Sequence, residues 1–145
     1  MITVRGQFAF FDSPKVVKSV DRMRQRQLAR AGGMVRTTSK RSIRKRKKPS
    51  LPGNPPHSHT GDLRKIFFGY DKSNDSVIVG PLGFKNSKAP QALEHGGYVM
   101  LRRRDKKTGE LVIKPVLIRK RAYMQPALET VAPQIPGLFK NKLRR

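Results

Sequence analysis

The chain has 145 residues, of which 33 are Lys or Arg and nine are Asp or Glu, so its formal net charge is +24. Positive charge at this density opposes compaction of a free monomer and attracts nucleic acid, anionic membranes or acidic proteins. Cysteine is absent, which excludes disulfide bonds and thiolate metal sites. We expect one domain with a modest core, no membrane-spanning segment and no secretory signal peptide.

The N-terminal part, residues 1–48, is predicted to form a strand and then a long basic helix. Residues 2–11 place apolar side chains at even positions, which is the spacing of a strand. The sequence Asp-Ser-Pro at 12–14 is typical of a helix start, with a capping side chain followed by Pro. Apolar residues then recur near helical spacing to about Ile43. The glycine pair at 32–33 leaves two alternatives, a continuous helix or one that breaks there.

Residues 36–48 are the most basic stretch and contain no acid. Residues 49–60 follow with four prolines and a glycine, which predicts an extended, turn-rich connector that is neither helix nor central strand. The connector separates the basic N-terminal part from a more apolar part, residues 61–132. The cations of the basic stretch are Arg36, Lys40, Arg41, Arg44, Lys45, Arg46, Lys47 and Lys48.

Two strand pairs are predicted after the connector, each closed by a polar turn. Residues 63–70 pair with 76–81, and residues 98–104 pair with 110–118. A short helical turn fits residues 89–95 between the two pairs. The fold class is therefore α+β, with a long N-terminal helix, a small antiparallel sheet of about four strands and a C-terminal helix.

The C-terminal helix is predicted within residues 119–132. Proline is tolerated only in the first turn of a helix, so Pro126 places the start at about Tyr123. Tyr123, Leu128 and Val131 are expected to point inward. Pro133 and Pro136 are expected to stop the helix and leave a basic tail, residues 133–145.

Three segments that follow the Pro-rich connector resemble a known family: TGDLR at 60–64, APQALEHGG at 89–97 and RAYMQPALE at 121–129. In this order and spacing they are similar to the neck or tail-completion proteins (minor tail, head–tail morphogenesis) of tailed phages and prophages. Ala122 and Tyr123 stand where the family pattern has Pro-Phe. The residues that match the three motifs are Thr60, Gly61, Leu63, Arg64, Pro90, Glu94, Gly96, Arg121 and Pro126.

The resemblance implies a non-enzymatic virion subunit at the head–tail junction that forms a homo-oligomeric ring and links the connector to the tail tube. The implied partners are further copies of the chain, the neighbouring connector, tail-terminator or tail-tube proteins, and duplex DNA in the channel. The implied location is the virion, with the host cytoplasm as the place of assembly. No cofactor is implied.

The basic stretch itself leaves three interpretations open: a solvated face, a surface for duplex DNA, or a docking surface for an acidic neighbour. It contains no aromatic residue, so stacking on single-stranded bases is not supported. Arg102, Arg103 and Arg104, on a predicted strand, are assigned to the same partner-contacting set. An alternative function from another class is a basic nucleic-acid-binding protein, such as a ribosome-associated or chromatin-like protein.

Two motif residues have a direct physical interpretation. Gly61 permits the positive φ needed to turn from the connector into a strand, and Thr60 or Asp62 can hydrogen-bond the turn backbone. Glu94 is the only acid in a long basic stretch. It either pairs with an Arg of the same or a neighbouring subunit, or is an ordinary solvated carboxylate.

The sequence offers little for catalysis or metal binding. His57, His59 and His95 are the only histidines, and without Cys they predict no metal site. There is no nucleophile elbow, no paired carboxylates and no phosphate-binding glycine loop. We therefore expect no enzymatic activity.

Overall fold

The structure is a computed structural model that describes residues 13–84, 88–105 and 109–140, with the side chain of Arg103 left out. The predicted strand at 2–11 and the last part of the predicted tail, 141–145, lie outside the described residues.

Helix α1, Ser13–Ser42, is 30 residues long and runs without a break through Gly32 and Gly33. The alternative with a break is therefore wrong. A Cβ on Gly32 would lie 2.4 Å from Cγ1 of Val77 and 3.2 Å from Cδ2 of Phe68, so this glycine lets α1 approach its neighbours closely. The buried residues of the helix share one face: Gln27, Ala31, Gly32, Val35 and Ser39. No described helix is long and apolar enough to cross a membrane.

The connector has a turn at residues 52–53 and contains a two-residue strand near its end. Strand β1, Arg44–Lys45, pairs in parallel with strand β2, His57–Ser58. The strand residues of the connector carry no proline, so their backbone N–H groups can join the pairing. Pro56 and Ser58 are buried, which places the end of the connector against the core.

The four longer strands are present as two separate antiparallel hairpins, and the α+β fold class is confirmed. Strand β3, Ile66–Asp71, pairs with β4, Ser76–Pro81, and strand β5, Gly97–Arg104, pairs with β6, Leu111–Ile118. No strand pairing joins the two hairpins within the described residues, so the predicted four-stranded sheet is not formed. The first hairpin packs on α1, whereas the second has α2 as its main neighbour.

Strand β3 begins at Ile66, three residues later than predicted, because Asp62–Arg64 form a 3-10 turn. Its partner β4 has the predicted bounds. In β4, Val77 and Val79 are half-buried while Ile78 is 64% exposed, as expected for a hairpin with one face on the core.

The chain ends in helical elements: α2, Ala89–His95; α3, Met124–Val131; a 3-10 turn, Ala132–Gln134; and α4, Ile135–Phe139. The predicted start of α3 near Tyr123 is confirmed. The prediction that Pro133 and Pro136 stop the helical structure is wrong. Each proline occupies the first turn of the next helical element, where the missing N–H would have no intrahelical partner.

The core is small and centres on Ile43, Ile66 and Tyr123, each 1% exposed. Tyr123 and Val131 point inward as predicted, but Leu128 is 48% exposed. Ala127 and Val131, four residues apart, form the buried stripe of α3, and Leu128 lies about 100° around the helix from Ala127. The partly buried residues packed on the core are Leu63, Val79, Leu93 and Met124.

Candidate functional site

The basic stretch 36–48 begins in the last turns of α1 and continues into the connector. Arg36 differs from the others because it fastens α1 to the first hairpin. Its Nε donates a 2.7 Å hydrogen bond to the carbonyl of Ile66, and its guanidinium lies 5.7 Å from the centre of the Phe67 ring. The seven other cations are exposed: Lys40, Arg41, Arg44, Lys45, Arg46, Lys47 and Lys48.

The charge of these seven side chains is not compensated by ion pairs within the described residues. The ion pairs of that part of the chain join Arg24 to Asp21 and Asp75, and Lys65 to Asp62. They therefore lie elsewhere on the molecule. Because like charges are held together at the end of α1, this surface attracts polyanions over several ångströms.

The end of α1, strand β1 and the loop that leads to β2 together form a basic pocket of about 590 Å³. Arg41, Arg44 and Arg46 line it together with polar and apolar residues of the connector. Ser50, in the same lining, is 7% exposed, and its hydroxyl has no hydrogen-bond partner within the described residues. The remaining lining residues are Ser42, Pro49, Leu51, Asn54, Pro55 and His57.

Backbone hydrogen bonds close this loop at its base. Arg44 is paired with His57 and Lys45 with Ser58, and the N–H of Arg46 donates to the carbonyl of Ser58 at 3.3 Å. Nδ1 of His57 donates to the carbonyl of Lys48 at 2.9 Å, because a carbonyl can only accept. His57 thus holds the loop.

A second anchor ties the loop to the segment before α3. Nε of Arg121 donates to the carbonyl of Ser50 at 3.0 Å, and the N–H of Gly53 donates to the carbonyl of Lys120 at 3.0 Å. The N–H of Arg121 also donates to the carbonyl of Leu93 at 2.7 Å. Arg121, a residue of the third motif, therefore joins the connector, α2 and the start of α3.

The first motif forms the turn that the sequence predicts. Gly61 has φ 97°, a left-handed conformation that glycine adopts without strain. Thr60 Oγ1 donates to Asp62 at 2.6 Å. Lys65 and then Thr60, both bonded to this carboxylate, lower the pKa of Asp62. Arg64 is half-buried, with its Nε shielded from solvent.

Glu94, in the second motif, is neither paired with an Arg of its own subunit within the described residues nor an ordinary solvated carboxylate. Its carboxylate accepts backbone hydrogen bonds from Tyr123 at 3.0 Å, Met124 at 3.1 Å and Gln125 at 2.8 Å. It forms no ion pair within the described residues. Glu94 instead caps the N-terminus of α3, where a carboxylate satisfies otherwise unpaired N–H groups and complements the helix dipole.

Burial raises the pKa of Tyr123 to about 12, and the nearby negative charge of Glu94 acts in the same direction. The neutral phenol is therefore the form that the core holds. The other motif positions are structural as well. Pro90 lies in the first turn of α2, Gly96 ends that helix with φ 81°, and Pro126 lies in the first turn of α3.

The second hairpin presents an unusual apolar surface. In the β5–β6 register Tyr98 is opposite Leu117, Met100 opposite Pro115, Arg102 opposite Ile113, and Arg104 opposite Leu111. Paired residues point to the same side, so these eight define one side, which we call the outward face. Every member is exposed, with Tyr98 at 74% and Met100 at 61%.

Arg102 and Arg104, predicted to contact a partner, belong to the outward face and lie near the hairpin tip. Arg103 lies between them in β5, and its side chain is outside the described residues. Seven of the predicted cations lie on the surface formed by residues 40–48, which we call the basic loop, and Arg102 and Arg104 lie on the outward face. Arg36 is tied to the first hairpin instead.

No group of three or more His, Asp or Glu residues close enough to hold a metal ion occurs in the described part of the chain. Comparison with models of known protein families, with curated proteins and with solved structures found no match.

Three features of these surfaces have no signal in the sequence pattern: the pocket, the cap formed by Glu94 and the anchoring role of Arg121. Each depends on contacts between residues far apart in the chain. The apolar outward face could have been detected, because Tyr98, Met100 and Arg102 alternate with Val99 and Leu101, which leaves neither side of the strand polar.

Proposed function

We propose that the chain is a structural subunit of the head–tail junction of a tailed phage or prophage. It is a neck or tail-completion protein that assembles as a homo-oligomeric ring around the DNA channel, between the connector and the tail tube. The three motifs support this proposal by their order and by their roles. Each lies where two elements of the fold meet, and none presents groups suited to catalysis.

The outward face of the second hairpin is the observation that carries the proposal. Tyr98, Met100, Leu111, Ile113 and Leu117 are each at least 47% exposed. The second hairpin pairs with no other strand of the described chain, and a two-stranded hairpin alone is marginally stable in water. A contiguous exposed apolar surface marks a site of protein association. In an assembly, a neighbouring subunit can bury this apolar surface.

A second apolar surface makes a head-to-tail contact between copies feasible. A groove of about 450 Å³ lies among α1, the first hairpin, α3 and α4, and its lining includes Leu28, Val35, Val77 and Ile135. Two different complementary surfaces on one chain are what a heterologous contact requires, and such contacts close into rings when the rotation permits.

The basic loop suits the inside of a DNA channel or an acidic neighbouring protein. Its contact with DNA would be independent of sequence, because phosphate contacts have no sequence information. Any sequence must pass through a channel, so sequence independence is the property required there. The affinity would fall steeply with salt.

The seven exposed and uncompensated cations also favour a second function, a basic nucleic-acid-binding protein that acts outside a virion. The two proposals differ in oligomeric state. A monomer that binds duplex DNA at about 0.15 M salt supports the nucleic-acid-binding protein, whereas a ring in electron micrographs supports the virion subunit.

Deletion of the gene from the phage or prophage that encodes the chain tests the proposed function. We expect DNA-filled heads and separate tails, or heads that leak DNA, in electron micrographs of the lysate. Supplying the wild-type chain from a plasmid is the control and restores joined particles. Normal joining and full infectivity without the chain would contradict the proposal.

A further inference from the structure

We propose that the basic pocket between β1 and β2 is a binding site for a phosphate group. The inference deepens the proposed function by naming the chemical group that the basic loop takes. It rests on the proposed function only in expecting the DNA backbone as the source of that group.

The donors around the pocket match a phosphate in number and charge. Arg41, Arg44 and Arg46 line one pocket, and the planar guanidinium group presents paired N–H donors that fit two phosphate oxygens at once. No Asp or Glu is in the lining. One carboxylate, with two oxygens and one charge, leaves part of three uncompensated guanidinium groups unpaired. Inorganic phosphate has more oxygens and up to two charges, and a DNA strand presents consecutive phosphodiesters with one charge each.

Ser50 provides an independent observation. It is 7% exposed, it lines the pocket, and its Oγ is shielded from solvent without a hydrogen-bond partner in the described part of the chain. Buried hydroxyl groups are nearly always hydrogen-bonded. The Oγ has almost no exposed surface in this structure, so a rotation of the Ser50 side chain about χ1 would bring the hydroxyl to the pocket, where a phosphate oxygen would accept its hydrogen bond.

Hydrogen bonds hold the backbone around the pocket in place before a ligand arrives. The Arg44–His57 pairing and the His57–Lys48 hydrogen bond close the loop at one end, and the 3.0 Å hydrogen bond from Arg121 to the carbonyl of Ser50 anchors it at the other. Pro49 and Pro55 in the wall restrict the backbone further. Because this backbone is preorganised, binding orders mainly the exposed arginine side chains, which limits the conformational entropy that is lost.

The chain contains its own charge-matched control. Lys45, Lys47 and Lys48 lie in the same segment as the three arginines but are not in the pocket lining. The variant R41A/R44A/R46A and the variant K45A/K47A/K48A therefore remove the same charge from the same stretch. If phosphate binds in the pocket, only the arginine variant loses affinity for phosphate. If a diffuse positive field attracts it, both variants lose affinity equally.

Binding of inorganic phosphate to the full chain, followed by NMR of ¹⁵N-labelled protein at constant ionic strength with chloride as the reference, tests the site. We expect the shifts to concentrate at residues 41–57. The arginine variant should bind phosphate at least about tenfold more weakly, as expected for the loss of charge-assisted hydrogen bonds, and the lysine variant should stay within about twofold. Equal weakening in both variants, or shifts spread over all basic surfaces, would overturn the proposal.

Ser50→Ala keeps the proposal testable should the arginine variant fail to fold. The Ser50 hydroxyl is buried and has no hydrogen-bond partner within the described residues, so its removal should leave the thermal unfolding midpoint unchanged or raise it. Phosphate binding should weaken. Unchanged phosphate binding in a folded Ser50→Ala variant would contradict the site.

A second set of titrations identifies the source of the phosphate. If the arginine variant loses more affinity for a short DNA duplex than the lysine variant, the DNA backbone occupies the pocket. If only inorganic phosphate is affected, the pocket is a free-phosphate site. If a poly-glutamate peptide displaces phosphate at lower concentration than the duplex does, an acidic protein is the ligand and the proposal is wrong. The deletion phenotype is independent of these outcomes, so the proposed function and the pocket can fail separately.

Discussion

Glu94 Oε1 accepts a 2.8 Å hydrogen bond from the backbone N–H of Gln125, 31 residues further along the chain. Helix α3 has no acidic residue in its first turn and no side-chain cap of its own. Glu94, on α2, provides both functions, since Oε2 also accepts the N–H groups of Tyr123 and Met124. The second and third motifs of the sequence are therefore one structural unit, with the carboxylate of one holding the helix start of the other.

Glu94→Ala removes the cap of α3 and leaves three backbone N–H groups without their acceptor. We expect the free energy of unfolding to fall by about 2–3 kcal/mol, the sum of a lost cap and lost charge-assisted hydrogen bonds. Urea denaturation followed by circular dichroism measures this loss. Glu129→Ala is the control, because Glu129 is exposed and accepts a single side-chain hydrogen bond from Gln125; its effect should stay below about 0.5 kcal/mol. Equal effects of the two variants would contradict the capping role.

Two adjacent glycines in α1 should respond oppositely to alanine. Gly32→Ala places a Cβ 2.4 Å from Cγ1 of Val77, and we expect a loss of about 1–3 kcal/mol from overpacking. At Gly33 the nearest atom would be 4.0 Å away, so Gly33→Ala should stabilise by about 0.5–1 kcal/mol through helix propensity. Thermal unfolding of both variants measures the difference. Stabilisation by both would contradict the close packing of α1 on the first hairpin.

The raised pKa of Tyr123 predicts a loss of stability in alkali. Its value rises from 10.0 to about 12 on folding, so between these values the folded chain binds more protons than the unfolded chain, and stability falls as the pH increases. The contribution of the raised Tyr123 pKa to the free energy of unfolding is fully present below pH 10. It amounts to roughly 2–3 kcal/mol for a shift of this size. Tyr123→Phe keeps the ring and removes the ionisable hydroxyl. The stability difference between wild type and this variant should therefore change over this pH range, and a constant difference would contradict the burial of a neutral phenol.

The outward face predicts a variant that folds but does not assemble. Tyr98→Ser, Met100→Ser and Ile113→Thr together should change the free energy of unfolding by less than about 1 kcal/mol, because these side chains are exposed. In a deletion strain complemented with this variant, we expect loss of joined particles. Ile78→Thr with Leu82→Ser, at two exposed positions of the first hairpin region, is the control and should support assembly. Normal incorporation of the outward-face variant would show that the second hairpin is not an interface.

Local sequence rules predicted the secondary structure well in the C-terminal half. The polar turn 71–75 defined the first hairpin, with the bounds of β4 as predicted, and the position of Pro126 gave the start of α3. These features depend on turn chemistry and proline geometry within a few residues. The 3-10 turn before β3 was missed, because the apolar Leu63 fits either element.

Long-range contacts account for the errors. The effect of Gly32 depends on Val77 and Phe68, which are 45 and 36 residues away. The sequence around Gly32 alone therefore does not show whether the glycine breaks α1 or lets it pack closely on the first hairpin. Proline was treated as a helix stop at Pro133 and Pro136, although each one starts a new helical element. The folding of the connector depends on Arg121, 71 residues from its acceptor Ser50.

If the chain is a ring subunit at the head–tail junction, as we propose, its copy number and axial position in the intact particle should show it. Cryo-electron microscopy of purified particles provides both. We expect several copies in one ring between the connector and the tail tube, with the second hairpin of each copy against its neighbour. Particles that lack the chain, or contain it away from that junction, would rule out a ring subunit of the head–tail junction.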